Sequence, residues 1–174
     1  MTDHWVFGYG SLMWQPGFDY EEAVPGFLVG LRRSLCIHSI VHRGSPKYPG
    51  LVLGLDIGGF CHGIAFRINH AHKRKVRAYL RARELNTNVY YEQQKPIALH
   101  DGSERTVRAT CFVVNRNHRQ YAGRLPLSRQ AYIVRRSKGR SGYNIDYFRN
   151  TLEHLRSLEI YDVDLERLSL IMRG

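Results

Sequence analysis

Two stretches of this 174-residue chain carry groups able to do chemistry: the octet Phe7-Gly8-Tyr9-Gly10-Ser11-Leu12-Met13-Trp14, and the carboxylate of Glu84 at the end of a basic segment. Trp5, Val6 and Phe7 read as a short buried strand. Glycine lets a backbone approach a ligand closely. A strand ending in Gly-Tyr-Gly-Ser presents N–H groups at its tip, where they can collect an anion or a developing oxyanion. The same residues also describe a strand followed by an ordinary turn.

Glu84 closes a segment, residues 70–84, without proline or glycine and rich in helix formers, with Asn69 placed as its N-cap. Val76, Tyr79, Leu80 and Arg83 recur at i, i+3, i+4 and i+7 and define one face. Glu84 sits on or beside that face and should reach inward at the helix end. Burial raises a carboxylate's pKa and a neighbouring arginine lowers it. An Arg83–Glu84 ion pair or a capping role is the plainer account of the residue.

The elements that must position these groups are mostly strands first, with helices later. Residues 5–9 form the first strand, 16–22 a polar loop, and 27–39 one long strand or two with Gly30 as a bend. Residues 43–50 form a turn-rich loop. Leu51–Asp56 and Phe60–Ile68, joined at Gly58-Gly59, read as a β-hairpin. Residues 87–98 are a loop entering an extended segment, and Gly102 marks a turn. Thr106–Val114 alternates as a strand, with Val107, Ala109, Cys111 and Val113 on one face. Pro126 and Ser128 open a short helix to about Arg136. Residues 139–143 form a second glycine-serine loop. Asn144 caps the next helix, with Ile145, Phe148, Leu152 and Leu155 as its stripe. Asp162 and Asp164 start the last one, striped by Leu165, Leu168 and Met172. The pattern is α+β in a single domain, 1–174, and not a regular βαβ alternation.

Composition narrows the functional classes. Apolar residues make up 43% and charged residues 24%, ordinary for a globular protein. No apolar run approaches the ~18 residues of a membrane span, and the N-terminus does not read as a signal peptide. Cys36, Cys61 and Cys111 are few, odd in number and far apart, which points to buried free thiols and a reducing cytoplasm. Nine histidines occur, but without His-Glu-x-x-His or another metal-ligand spacing, so no metal is expected. The formal charge is +11. The excess is spread over Arg32-Arg33, 72–77, 116–124 and 135–140, with no run of five Lys or Arg and no nucleic-acid signature. It reads as a solvated basic surface that also draws acidic small substrates, with nucleic acid an unlikely partner. Gly8-Tyr9-Gly10 lacks the third glycine of a dinucleotide fingerprint, no P-loop lysine follows, and Gly10-Ser11 lacks the frame of a nucleophile elbow.

The combination of blocks is more specific than any one of them. Residues 5–14, Arg43-Gly44 leading to Pro49-Gly50-Leu51-Val52-Leu53-Gly54-Leu55, Tyr79-Leu80 followed by Arg83-Glu84, and Ser141-Gly142-Tyr143-Asn144 leading to Tyr147 resemble, in order, the ChaC family of γ-glutamylcyclotransferases. The bacterial-type branch is the nearest match. The resemblance spans essentially the whole chain. It implies a small mixed β-barrel with helices packed around it. It also implies conversion of glutathione to 5-oxoproline and cysteinylglycine without metal or organic cofactor. Carried onto this chain, it makes Gly8, Tyr9, Gly10, Ser11, Leu12 and Met13 the cradle of the γ-glutamyl group and Glu84 the catalytic acid/base. Arg43, Tyr48, Tyr143 and Tyr147 are weaker candidates for lining the pocket.

That reaction is an internal aminolysis, in which the α-amine attacks its own γ-carbonyl. It needs a folded substrate conformer and one group that removes and returns a proton. It needs no serine nucleophile, so Ser11 is expected to bind and not to attack. Cyclotransfer on other γ-glutamyl amines or peptides, or a basic nucleic-acid-binding or interaction module without turnover, are the competing readings. A monomer or weak dimer, with no membrane partner, is expected.

Overall fold

The computed structural model describes residues 3–174. Its elements, in order, are β1 (His4–Gly8), a 3₁₀ turn (Ser11–Met13), β2 (Glu22–Ser39), β3 (Gly50–Ile68), a 3₁₀ turn (His70–His72), α1 (Lys73–Glu84), β4 (Tyr90–Leu99) and β5 (Thr106–Val114). Then follow α2 (Leu127–Arg136), the two-residue strands β6 (Lys138–Gly139) and β7 (Gly142–Tyr143), α3 (Asn144–Ser157) and α4 (Val163–Arg173). The five long strands close into a mixed barrel in the order β1-β3-β2-β4-β5. The architecture is α+β, as the strand-first order implies. The chain divides into two compact units: the chain up to Arg33 with Leu55–Asn115, and Ser34–Gly54 with Arg116–Gly174.

In the first unit β1 is central. It pairs antiparallel with β3 (His4↔Ile68 to Gly8↔Ile64) and parallel with β5 (Trp5↔Ala109, Val6↔Thr110). Val6 and Phe7 are fully buried. Beside them β4 and β5 form a long antiparallel ladder from Tyr90↔Val114 to Ala98↔Thr106. Asn69 caps the turn before α1, its side chain accepting from the Ala71 N–H at 2.9 Å. Val76 and Leu80 are the buried stripe of α1.

Two expectations fail here. Gly58-Gly59 does not close a hairpin, because β3 runs on through it. Residues 64–68 take β1 as their partner and Leu55 pairs with Val113, so the flanking halves never face each other. The glycines have φ of +103° and +64° and absorb an irregularity inside one strand. The alternation of β5 also holds only at its start. Residues 109–114 are buried on both faces, so this strand is covered on its outer side as well as by the barrel interior.

In the second unit, the loop expected at 139–143 is a tight ribbon, with Lys138 opposite Tyr143 and Gly139 opposite Gly142. Asp162 caps α4 by accepting from the Leu165 N–H. Asn144 is not the cap of α3; Tyr143 holds that position. The fully buried Asn144 amide instead accepts from Leu51 N–H (2.7 Å) and donates to Leu51 C=O (2.8 Å). Asn144→Ala leaves both backbone groups unsatisfied at about 1–3 kcal/mol each. A loss of about 2–6 kcal/mol is therefore expected, read as a lowered urea midpoint at unchanged slope.

Candidate active site

β1 ends at Gly8, where a side chain has little room. A Cβ there would lie 3.2 Å from Leu12 Cβ and from Met13 N, and 3.3 Å from the Phe66 ring. The chain passes through Gly10 into the 3₁₀ turn. Met13 N–H donates to Gly10 C=O (2.9 Å), and Trp14 and Gln15 N–H donate to Ser11 C=O (3.3 and 2.8 Å). At the head of such a turn the N–H groups of Ser11 and Leu12 have no acceptor within it. The side chains of Tyr9, Leu12 and Met13 are buried, and Ser11 is exposed. The expected cradle therefore offers backbone and one hydroxyl, while its larger side chains serve as core anchors.

Two arginines hold this loop. Arg33, only 4% exposed, donates from Nε to Tyr9 C=O at 2.6 Å and from Nη2 to His62 C=O at 2.5 Å. Arg83, at the end of α1, donates from Nη2 to the Ser11 hydroxyl at 2.7 Å. Its Nη1 reaches Gln15 C=O (2.9 Å), Pro16 C=O (3.4 Å) and the Tyr79 hydroxyl (3.0 Å). The Nε of the same guanidinium lies 3.2 Å from Glu84 Oε1. One planar cation thus touches both the Ser11 hydroxyl and the Glu84 carboxylate. The loop packs on α1 through Phe18, edge-on to Phe66 and Tyr79, and through Gly17, where a Cβ would sit 2.0 Å from the Tyr79 hydroxyl.

The Glu84 side chain is 18% exposed. Burial pushes its pKa above the ordinary glutamate value, and the Arg83 charge pulls it part of the way back. Glu84 is thus ion-paired with Arg83 and at the same time largely buried, so its carboxyl holds its proton to higher pH than an ordinary glutamate.

In the second unit, Arg43, Tyr143 and Tyr147 gather. The Arg43 guanidinium donates to Tyr143 C=O at 3.3 Å and lies 5.6 Å from the centre of the Tyr147 ring. The Tyr147 hydroxyl accepts from Leu53 N–H at 3.0 Å. Tyr48 does not join them; it stacks with Arg136.

A family model described as ChaC-like protein matches residues 4–173. The chain belongs to the ChaC-like family. It is 32% identical over 164 residues to the glutathione-specific γ-glutamylcyclotransferase of Escherichia coli K12, covering 94% of this chain and 70% of that protein. It is 34% identical over 185 residues to the protein of that name from Schizosaccharomyces pombe, covering 95% and 89%. γ-Glutamylcyclotransferase 2-3 of Arabidopsis thaliana is 34% identical over 168 residues, covering 91% and 82%. Bacterial, fungal and plant relatives lie at similar identity, so no branch within the family stands out. The crystal structure of a yeast γ-glutamyl cyclotransferase specific to glutathione superposes with a TM-score of 0.86 at 22% identity, over 99% of this chain and 96% of that one. The barrel of this ChaC-like chain is therefore the γ-glutamylcyclotransferase-like fold.

Arg33 is the residue that sequence reasoning placed wrongly, as part of a solvated basic surface. Its signal was present in the period of two, because Leu31, Arg33, Leu35 and Ile37 alternate inward along β2 and all four are buried. Among the described residues, no three His, Cys, Asp or Glu side chains group as metal ligands. All three cysteines are buried thiols outside any disulfide, and burial pushes the Cys111 thiol up to about 12, so it is an inert thiol at neutral pH.

Proposed function

We propose that this ChaC-like chain is a γ-glutamylcyclotransferase that degrades glutathione to 5-oxoproline and cysteinylglycine, with Glu84 as its single proton-transfer group. The observation carrying the proposal is the Arg83 guanidinium shared between the Ser11 hydroxyl and the partly buried Glu84 carboxylate. It puts a potential base beside a turn with available N–H groups. The names of relatives at 32–34% identity over nearly the whole chain support the same substrate.

In this reading the Glu84 carboxylate takes a proton from the substrate α-ammonium. The freed nitrogen attacks the γ-carbonyl carbon, and the Ser11 and Leu12 N–H groups steady the oxyanion, worth about 3 kcal/mol per donor. The γ-carbon–nitrogen bond then breaks as protonated Glu84 returns that proton to the leaving cysteinyl nitrogen, and the new ring nitrogen gives up its second proton to the regenerated Glu84 carboxylate, from which it passes to the departing amine or to water. Nucleophile and electrophile share one molecule, so holding the folded conformer supplies much of the rate. The buried thiols, none in a disulfide, fit a reducing cytoplasm, and no helix among the described residues is long and apolar enough to cross a membrane.

Product analysis of the purified, metal-stripped protein with glutathione tests the proposal. Release of 5-oxoproline together with cysteinylglycine is expected. 5-Oxoproline from another γ-glutamyl compound, but none from glutathione, would keep the chemistry and change the substrate. No turnover of either by a folded protein would overturn the reading. A pH profile adds a second check. The base must be ionised to accept the amine proton, so kcat/KM is expected to fall as pH drops through the raised pKa of Glu84.

A further inference from the structure

The second unit carries a feature that catalysis does not use. Lys47, Tyr48, Arg136, Tyr132 and Arg129 form an unbroken series in which cations and rings alternate. Lys47 Nζ lies 5.3 Å from the Tyr48 ring centre. The Arg136 guanidinium lies 4.4 Å from Tyr48 and 5.0 Å from Tyr132, and that of Arg129 lies 5.3 Å from Tyr132. Arg129, Tyr132 and Arg136 are i, i+3 and i+7 on the outer face of α2, whose other face buries Ala131 and Val134. The loop bearing Lys47 and Tyr48 is tied to the end of α2 by the Ser137 hydroxyl, which donates to Pro49 C=O at 2.9 Å. Tyr48 and Tyr132 are 46% and 50% exposed. Among the described residues none of the three cations forms an ion pair, and the sequence has no Asp or Glu between Glu104 and Asp146.

We propose that this ladder binds single-stranded nucleic acid. Exposed tyrosine rings and guanidinium planes accept stacked bases of any identity, and the uncompensated cations between them take the phosphates. A duplex hides its base faces from such rings. A membrane surface would ask for exposed Leu, Phe or Trp beside the cations, and the outward face of α2 offers only tyrosine. The basic residues looked dispersed because the ladder joins two segments far apart in the chain, with the tyrosines supplying the order.

The test is fluorescence anisotropy of a labelled oligouridylate titrated with the full chain at increasing KCl. Saturable binding is expected, with log Kd rising against log salt at a slope of about 2, from three phosphates at about 0.7 each. Tyr132→Ala changes no charge and is expected to weaken binding about 10-fold. Arg129→Gln is expected to reduce the slope by about 0.7. Arg74→Ala with Lys75→Ala, two exposed cations of α1, should leave Kd within about twofold. Circular dichroism and glutathione turnover report that each variant is folded. If Tyr132→Ala does not fold, the Arg129→Gln slope carries the test alone. Wild-type affinity in a folded Tyr132→Ala, an equal loss in the α1 double variant, or an unchanged Arg129→Gln slope would overturn the proposal. So would tighter binding to an RNA duplex or to phosphatidylserine vesicles.

Discussion

Glu84→Gln is expected to lower kcat for glutathione by about 10²–10⁴-fold with little change in KM. The amide keeps the size of the side chain and its contact with Arg83, but it can neither take the α-ammonium proton nor return one to the leaving amine. The acid limb of the pH profile should disappear with it. Steady-state kinetics on glutathione, with 5-oxoproline as the readout, decide the matter; a folded variant with normal turnover removes Glu84 from the mechanism. The same variant tests the electrostatics through stability. Burial raises the folded-state pKa of Glu84, so the native state holds this proton to higher pH than the unfolded chain does. Its contribution to stability is full below the unfolded value and declines as pH rises through the folded one. Glutamine has no such decline. The melting temperature of Glu84→Gln relative to the unmodified chain is therefore expected to rise from acid to neutral pH.

Arg83→Met is expected to cost about 10²-fold in kcat/KM. Its guanidinium holds the Ser11 hydroxyl and the carbonyls of Gln15 and Pro16 against α1, and small misplacements of positioning groups carry penalties of that order. Methionine keeps much of the stem and removes every donor. A second effect separates this role from plain loss of packing. The Arg83 charge is what draws the Glu84 pKa downward, so the acid limb of the variant should move to higher pH. Arg83→Lys keeps the charge without the fork. It should hold the limb near its original place while recovering only part of the rate. An unmoved limb in Arg83→Met would make the arginine a structural tie with no electrostatic hold on Glu84.

Much of the framework was legible because its causes are local. The apolar positions Val76 and Leu80, the Asn69 cap, the Asp162 cap and the limits of β5 depend on residues within a turn or a strand of one another, and each appears where its spacing placed it. The order of motif blocks, with Glu84 among them, was also in the sequence. What only the tertiary structure decided are partnerships between distant segments. Gly58-Gly59 has the composition of a turn, yet it lies inside one strand because β1 and β5 take the neighbours it would have joined. Asn144 has the chemistry of a cap, yet its amide is committed to Leu51. Arg33 counted as surface charge until burial directed it to the Tyr9 carbonyl. The bridge from Ser11 through Arg83 to Glu84 joins residues 72 positions apart in the chain. Propensity is a property of a few consecutive residues, whereas a hydrogen bond across the chain depends on the register of every strand between its partners.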